Sequence, residues 1–227
     1  MTKDSVTLIQ RLIDATKAKT YLEVGVEKGA TFFEIKAEKK FAVDPHFRFD
    51  PSDRESETER YFQMTSDDFW NSINPQLMFD VVFLDGLHTF EQTYRDFCAV
   101  LAHTTSSSVI IIDDIFPTDV FSSLTDHGNA IRFREMHGID SRAWHGDVYK
   151  VILAINDFHP TLDFRTIVGG ENLQTVVWRS GDVFRSPRFN SLELISRCSW
   201  FELKDNEDIM RPCLEDDLFP ILSILSN

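Results

Sequence analysis

The stretch that decides the fold reads FDVVFLDGLHTFEQTYRD and runs from Phe79 to Asp96. Its apolar run, residues 81–84, has no polar face, which is typical of a strand buried on both sides. The run stops at Asp85-Gly86, and a stripe of apolar side chains follows at helical spacing: Phe90, Tyr94, Phe97, Cys98 and Leu101. Asp85 and His88 are therefore predicted to lie between the carboxyl end of a strand and the amino end of a helix, where open α/β sheets bind ligands. Turn chemistry alone is the alternative explanation of Asp85-Gly86.

The composition is that of an ordinary globular protein. Of the 227 residues, 42% are hydrophobic and 26% are charged. The formal net charge of -14 disfavours nucleic acid or an acidic membrane surface as a partner. No apolar run reaches the roughly 18 residues of a membrane span, and the amino terminus does not resemble a signal peptide. We therefore expect a cytoplasmic protein that binds neither nucleic acid nor a membrane.

A second strand-and-turn segment lies closer to the amino terminus. Residues 20–24 favour a strand, Gly25 and Gly29 follow, and residues 30–37 are predicted to form a helix. A strand, a glycine turn and a helix make the nucleotide cradle of Rossmann-like folds. The pattern Glu23-x-Gly-x-x-x-Gly lacks one glycine of the dinucleotide fingerprint, which disfavours NAD. Glycines after a strand are also common turn residues.

Polar residues follow the next two predicted strands, residues 41–45 and 60–64. Asp44 lies 19 positions after Gly25, close to the spacing of about 20 at which a carboxylate accepts hydrogen bonds from ribose hydroxyls. An acid that only caps a strand end is the alternative. Ser66 is predicted to cap a short helix that includes Asp67.

Three carboxylates follow the two most apolar runs of the chain. Asp85 follows residues 81–84, and Asp113 and Asp114 follow residues 109–112. Parallel neighbouring strands, about 4.8 Å apart, would bring these acids together, which is unfavourable without protons or a cation. Mg²⁺, with Mn²⁺ as the alternative, suits such oxygen ligands. In the metal-free alternative, one acid binds the cofactor and the others cap helices.

The glycine turn resembles motif I of class I S-adenosylmethionine (SAM) methyltransferases. The stretch FDVVFLDGLHTFEQTYRD followed by IIIDD, with EVGVEKG and VDP upstream, resembles the macrocin and mycinamicin type of Mg²⁺-dependent sugar O-methyltransferases. The resemblance covers roughly residues 20–115. It implies an α/β, Rossmann-like class I methyltransferase fold with a mostly parallel seven-stranded sheet, helices on both faces and an antiparallel last strand.

The resemblance also implies a reaction and a role for each site residue. The protein would methylate a hydroxyl of a sugar or glycan-type acceptor, with His88 as the general base and Asp85 as a second catalytic residue. Mg²⁺ would be held by Asp85, Asp113 and Asp114. SAM would be bound by Glu23, Gly25, Gly29, Asp44, Ser66, Asp67 and Asp85. For His88, a structural residue hydrogen-bonded to the backbone at the start of a helix is the alternative.

Two other functions remain open at this stage. An NAD-dependent oxidoreductase is disfavoured by the missing glycine and by the lack of a Tyr-x-x-x-Lys pair, since Tyr149 and Lys150 are adjacent. A non-catalytic SAM-binding protein is disfavoured by the presence of all three acids and His88.

The remaining segments are predicted to complete the domain. Residues 1–180 would form the methyltransferase domain, with a leading helix over residues 4–16 and a lid-like insertion at about residues 115–147. Thr89 and Gln92 have the spacing of a capping box, and residues 106–108 are predicted to form a polar turn. Residues 181–227 would be a helical appendage, part of the same domain or a dimer contact. We therefore expect a homodimer or a higher homo-oligomer.

Overall fold

In the described part of the chain, alternating strands and helices build one eight-stranded sheet with helices on both faces. The structure, a computed structural model, describes residues 3–170, 172–181 and 185–222. The strands are β1 (Thr20–Val24), β2 (Lys39–Val43), β3 (Glu59–Phe62), β4 (Phe79–Leu84), β5 (Thr104–Ile112), β6 (Leu162–Val168), β7 (Gln174–Arg179) and β8 (Pro212–Leu214). The helices are α1 (Lys3–Thr16), α2 (Ser66–Ser72), α3 (Phe90–Ala102), α4 (His127–Met136), α5 (Tyr149–Phe158), α6 (Leu192–Arg197), α7 (Trp200–Asp205) and α8 (Glu215–Leu222).

The strand order in the sheet is β3-β2-β1-β4-β5-β7-β6-β8. Strand β7 runs antiparallel to β5 and β6, and the other neighbouring pairs are parallel. This topology confirms the predicted Rossmann-like α/β fold with a mostly parallel sheet and an antiparallel strand near its end. The difference is the short strand β8, which pairs with β6 and adds an eighth strand from the segment predicted to be helical.

The central strands divide their side chains between two apolar cores. In β4, Val82 and Leu84 enter the core that α3 and α5 cover, whereas Val81 and Phe83 enter the core that α1 and α8 cover. All four side chains are at most 3% exposed, so β4 is buried on both faces, as its apolar run predicts. Among the helices in the described ranges, none is long and apolar enough to cross a membrane.

Residues 30–37 form turns rather than the predicted helix. The backbone N–H of Phe33 donates to the carbonyl of Gly29 at 3.0 Å, but a regular helical ladder does not follow. Phe32 is fully buried and stacks on Tyr21 with ring centroids 6.2 Å apart. Two adjacent aromatic side chains that both pack inward fit a compact turn better than a helix, because a helix directs neighbouring side chains about 100° apart.

Three smaller predictions were also wrong. Residues 106–108 belong to strand β5, where the hydroxyl of Ser108 donates to the carbonyl of Phe79 at 2.7 Å. Helix α2 is capped by Thr65, whose hydroxyl accepts from the N–H of Asp68 at 3.2 Å, so Ser66 is its first residue rather than its cap. Cys98 is exposed, so it does not belong to the apolar stripe of α3 as predicted.

Candidate active site

The carboxyl ends of β1, β4 and β5 lie side by side. Leu84 pairs with Val24 in β1 and with Ile112 in β5, and the backbone pairing continues one residue further. The N–H of Asp85 donates to the carbonyl of Val24 at 2.9 Å, and the N–H of Asp113 donates to that of Leu84 at 3.0 Å. The acidic residues that follow these strands therefore meet at one edge of the sheet, as predicted.

Gly25 allows β1 to turn against the end of β4. Its φ is +91°, and a Cβ atom there would lie 1.9 Å from the carbonyl oxygen of Asp85. A side chain of any size is excluded by this contact and strained by the backbone conformation. The first glycine of the motif therefore has a structural role in placing Asp85.

Asp85, His88 and Asp114 form a compact cluster of potential metal ligands. The Nε2 atom of His88 lies 3.8 Å from Oδ1 of Asp85 and 3.1 Å from Oδ2 of Asp114. One ligand atom from each residue lies within 4.8 Å of the others. The side chains are 3%, 21% and 11% exposed, respectively. Two carboxylates and one imidazole thus converge in a nearly dry site.

Asp113 lies next to this cluster and is held by two side-chain amides. Its Oδ1 accepts hydrogen bonds from Asn172 at 2.8 Å and from Gln174 at 3.1 Å, and Asn172 also donates to Oδ1 of Asp114 at 3.1 Å. The Oδ2 atom of Asp113 is buried and has no hydrogen-bond partner among the described residues. Of the three predicted metal ligands, the structure thus brings Asp85 and Asp114 together with His88 and directs one oxygen of Asp113 to the two amides.

The buried acids repel one another. Burial raises the pKa of Asp113 and that of Asp114 to about 7, and the neighbouring charge of Asp114 adds to the effect on Asp113. The pKa of Asp85 is raised well above its usual value by burial and then by the charges of Asp113 and Asp114. Burial lowers the pKa of His88. Without a cation, this group of acids therefore retains protons near neutral pH.

A loop from the segment after β5 holds His88 in place. The Nδ1 atom of His88 lies 3.1 Å from the carbonyl oxygen of Trp144, and the two rings stack with centroids 4.6 Å apart. Gly146, with a φ of +58°, packs so closely that a Cβ atom would lie 1.7 Å from the carbonyl oxygen of His88. The alternative prediction for His88, a structural residue hydrogen-bonded to the backbone, is thus correct for its Nδ1 atom. Its Nε2 atom instead faces the acids.

The same loop caps helix α3. The N–H of Phe90 donates to Oδ1 of Asp147 at 2.7 Å, and the ammonium group of Lys150 donates to the other oxygen at 2.8 Å. Thr89 makes no side-chain capping bond, and Gln92 instead donates to the hydroxyl of Ser66 at 3.1 Å. The predicted capping box is therefore wrong, because a residue distant in sequence supplies the cap.

Arg134 ties the segment between β5 and α5 together. Its side chain is 1% exposed and pairs with Asp119 at 2.6 Å. It also donates to the hydroxyl of Thr118 at 2.9 Å and to the carbonyl oxygens of Ser141 at 3.0 Å and Ala143 at 2.7 Å. The predicted lid-like segment thus contains helix α4 and is fixed around one buried guanidinium group next to Trp144.

Two of the predicted SAM-binding residues, Gly25 and Asp44, follow β1 and β2, whose carboxyl ends lie at the same edge of the sheet as Asp85. The carboxylate of Asp44 accepts from the N–H of Glu27 at 2.8 Å and from that of His46 at 2.7 Å. These bonds use one lone pair of each oxygen, so each oxygen retains acceptor capacity.

Glu23 and Gly29 have internal contacts. Glu23 is 2% exposed, accepts a 2.6 Å hydrogen bond from the hydroxyl of Tyr21, and has its pKa raised to about 8 by burial. Gly29 has a φ of +75°, and a Cβ atom there would lie 2.3 Å from the ring of Phe33. Both residues support the turn, and their contact with SAM stays a prediction.

Ser66 and Asp67 connect α2 to α3. Ser66 accepts from Gln92, and Asp67 accepts from the same amide at 3.2 Å and forms an ion pair with Arg95 at 3.0 Å. These bonds explain why both polar residues lie at the start of α2. The predicted contact of Ser66 and Asp67 with SAM stays a prediction.

Comparisons with known proteins agree with this fold. The family model of a methyltransferase domain matches residues 22–115, the range that contains all the residues of the Asp85, His88 and Asp114 cluster. No curated protein matches the chain.

Several solved structures have a similar fold. An O-methyltransferase from Bacillus cereus in complex with SAH is 15% identical, with a TM-score of 0.53 over 79% of this chain and 82% of that chain. The cofactor-bound Rv0187 from MTB is 14% identical, with a TM-score of 0.57 over 79% and 81%. The O-methyltransferase TomG from Streptomyces achromogenes, in complex with SAM, is 15% identical, with a TM-score of 0.50 over 80% and 82%. The shared fold confirms the predicted class I methyltransferase fold, and the domain match over residues 22–115 agrees with it.

Proposed function

We propose that this protein is a SAM- and Mg²⁺-dependent O-methyltransferase that acts on a hydroxyl of a sugar or glycan-type acceptor. The observation that carries the proposal is the cluster of Asp85, His88 and Asp114 at the carboxyl ends of two central parallel strands. In open α/β sheets this edge is where ligands bind. The match to a methyltransferase domain over residues 22–115 supports the reaction class, and similar structures hold SAM or SAH.

The acidic cluster suits a hard divalent cation. Carboxylate oxygens are the ligands that Mg²⁺ and Mn²⁺ prefer, and Mn²⁺ also accepts imidazole. The Oδ2 atom of Asp113 is buried without a partner among the described residues, and an orphaned carboxylate oxygen next to two further acids is unfavourable unless positive charge compensates it. Asp85 and Asp114 would hold the cation with either His88 or Asp113 as a further ligand.

The end of β2 suits the ribose of SAM. Asp44 is fixed by two backbone N–H groups, which keeps its carboxylate in one orientation with lone pairs to spare for a vicinal diol. Gly25 turns beside it without a side chain that would fill the space. SAM would supply an electrophilic methyl group when bound, and a cation held by the acids would lower the pKa of a neighbouring hydroxyl.

His88 is arranged to accept the proton of the acceptor hydroxyl. A carbonyl oxygen can only accept a hydrogen bond, so we assign the proton of the neutral imidazole to Nδ1, facing Trp144. Nε2 then carries the lone pair. Because burial lowers the pKa of His88, the ring is neutral and able to act as a base near pH 7. The carboxylate of Asp114 beside Nε2 would stabilise the imidazolium that forms.

The sugar-type acceptor rests on the sequence resemblance and on the aromatic surface beside the base. The ring of Trp144 stacks on that of His88. The ring centroids of Trp144 and the exposed His127 are 4.9 Å apart. Aromatic side chains with a few well-placed polar groups are common in ligand pockets. Cytoplasmic location and assembly into a homodimer or higher homo-oligomer stay predictions.

The central experiment measures transfer of a labelled methyl group from SAM to a panel of sugars and glycosides. We expect transfer with Mg²⁺, comparable or weaker transfer with Mn²⁺, and loss of transfer in EDTA that added Mg²⁺ restores. Transfer that is unaffected by EDTA would remove the cation from the proposal. SAM binding without transfer to any hydroxyl acceptor would favour the non-catalytic alternative.

A binding experiment tests the cofactor and the ligand set separately. Calorimetry should show binding of SAM but not of NAD, which would exclude the oxidoreductase alternative. Mg²⁺ or Mn²⁺ should raise the thermal midpoint of the wild type, since a ligand at 100 times its Kd stabilises by about 2.7 kcal/mol. Asp114→Asn should abolish that increase, whereas Asp67→Asn, in the exposed ion pair with Arg95, should retain it. An equal increase in both variants would contradict the assignment of Asp114.

A further inference from the structure

Three arginine side chains surround one carboxylate at the start of β6. Arg165 donates from Nη1 to Oδ1 of Asp163 at 3.1 Å, Arg211 donates to the same oxygen, and Nη1 of Arg185 lies 3.6 Å from it. Guanidinium groups stay charged at physiological pH. In the described part of the chain, Asp163 is the one ion-pair partner of these three arginines, which leaves two positive charges there uncompensated. This local excess stands against a formal charge of -14 for the whole chain.

Arg185 carries the most unfavourable of these charges. Its side chain is 9% exposed, and its Nε and Nη1 atoms have no hydrogen-bond partner among the described residues. Its guanidinium carbon lies 5.1 Å from the ring centroid of Phe164, and Nη2 donates to the carbonyl of His159 at 3.1 Å. A buried cation that is only partly paired is destabilising, and burial together with the charge of Arg211 lowers the pKa of Arg185. An additional negative charge nearby would relieve this imbalance.

The cluster lies away from the candidate active site. Asp163 pairs with Trp178 of β7, which pairs with Val109 in the first half of the apolar part of β5. The active-site acids instead follow Leu84 and Ile112, at the carboxyl ends of their strands. A ligand at the arginine cluster is therefore distinct from SAM, the cation and the acceptor.

Two of the three arginines are accessible to a ligand. The side chains of Arg165 and Arg211 are 21% and 27% exposed, whereas that of Arg185 is 9% exposed. Each planar guanidinium group can donate two parallel hydrogen bonds to a pair of oxygen atoms. At physiological ionic strength the Debye length is about 8 Å, so a small anion at this surface responds mainly to the local charges rather than to the distant acids.

We propose that Arg165, Arg185 and Arg211 form a binding site for a tetrahedral dianion of the phosphate or sulfate class. The two uncompensated charges match a dianion, whereas a carboxylate would neutralise only one of them. The oxygens of the anion contact the exposed sides of Arg165 and Arg211, and the buried Arg185 contributes its charge without direct contact. Asp163 sets the spacing of the guanidinium groups.

Calorimetric titration of the full chain with inorganic phosphate, sulfate and glycerol phosphate at constant ionic strength tests the site. We expect saturable binding of one anion per chain, with glycerol phosphate distinguishing a site for phosphate esters from one for the free ion; saturable binding of any of the three supports the proposal. Arg165→Gln and Arg211→Gln should each weaken binding at least tenfold. Arg188→Gln is the matched control, because Arg188 is an exposed arginine already paired with Asp208, and it should bind as the wild type does.

A substitution that removes a negative charge tests the proposal in the opposite direction. Asp163→Asn raises the local excess from two charges to three, so it should tighten anion binding. Arg185→Gln should weaken binding, and Arg165→Gln and Arg211→Gln carry the test if that buried substitution prevents folding. Absence of saturable binding in the wild type, or equal affinity in Arg165→Gln, Arg211→Gln and Arg188→Gln, would overturn the proposal. Methyl transfer plays no part in this readout, so its outcome is independent of the proposed enzymatic function.

Discussion

The Nε2 atom of His88 faces Oδ2 of Asp114 across 3.1 Å. Because Nδ1 donates to the carbonyl of Trp144, Nε2 carries a lone pair, and two acceptors at this distance repel unless a proton or a cation lies between them. The backbone of a distant loop thus decides which nitrogen of the imidazole is basic. This arrangement serves a general base and is equally the way in which a metal-bound histidine is oriented.

Replacement of His88 should remove activity while leaving the cofactor site intact. We expect His88→Ala to lower turnover by roughly 10²–10⁴, the usual contribution of a general base, with SAM affinity within about twofold of the wild type by calorimetry. His137→Ala is the control, since His137 is exposed and contacts Phe121 rather than the acidic cluster. Wild-type turnover in His88→Ala would eliminate it as the base. A loss of Mg²⁺ affinity in the same variant would instead identify it as a ligand.

Gly25→Ala should destabilise the protein far more than Gly138→Ala does. Both glycines have a positive φ, +91° and +70°, but only at Gly25 would a Cβ atom meet another residue, at 1.9 Å, whereas nothing lies within 4 Å of it at Gly138. The left-handed conformation alone costs about 1–2 kcal/mol, and the overlap at Gly25 should add about 3 kcal/mol or more. The free energy of unfolding in urea measures the difference. Similar values for the two variants would show that the backbone at Gly25 can move away from Asp85.

The sequence predicted the location of the acidic cluster because its cause is local. Apolar runs without a polar face specify strands buried on both sides, and the acids that follow them must lie where those strands end. Asp85, Asp113 and Asp114 meet for that reason. The register of the two strands, which pairs Leu84 with Ile112, then gives these three acids different contacts. No local sequence pattern predicts this register.

Other parts of the site depend on contacts distant in sequence. Thr89 and Gln92 have the right spacing for a capping box, but Asp147 supplies the cap from 57 positions away. Asn172 lies just before β7 and Gln174 is its first residue; both bond to Asp113, and neither matches a motif. The spacing of Phe32, Phe33 and Ile35 also failed to predict the structure of residues 30–37. Apolar residues at intervals of one to three do not by themselves distinguish a helix from a compact turn.

Without a bound cation, the free energy of unfolding of the wild type should fall as the pH rises. Glu23→Gln should make that fall smaller. The pKa of Glu23 is raised to about 8 in the folded state, against about 4.3 when unfolded, so the folded state binds the extra proton between these values. The stability associated with that proton is fully present below about pH 4.3 and is lost as the pH rises through 8, by up to about 5 kcal/mol. Glutamine keeps an acceptor for the hydroxyl of Tyr21 and does not ionise.

The measurement for Glu23 is the free energy of unfolding at pH 5, 7 and 9. The difference between Glu23→Gln and the wild type should grow in favour of the variant over this range. Glu38→Gln, at a side chain that is 67% exposed, should run parallel to the wild type. A constant difference between Glu23→Gln and the wild type would show that Glu23 ionises normally in the folded protein.

Arg134→Gln should release the loop that holds His88. The guanidinium group is buried and joins Asp119 to the carbonyl of Ala143, the residue before Trp144. Its removal leaves Asp119 partly buried without its charge partner, a loss on the order of 3–5 kcal/mol, and frees residues 137–147 from helix α4. Limited proteolysis under native conditions should therefore cut this segment faster in Arg134→Gln than in the wild type. Arg132→Gln, on the exposed side of the same helix, should be cut at the wild-type rate.

The Arg134 variants also separate positioning from overall folding. Arg134→Lys keeps the charge for Asp119 but cannot reach all the carbonyl acceptors at once, so it should fold and still show faster cleavage and a higher KM for the acceptor. SAM affinity should not change, because Gly25 and Asp44 lie on other elements. Cleavage at the wild-type rate in both variants would mean that Trp144 and Gly146 hold the loop against His88 without help from Arg134.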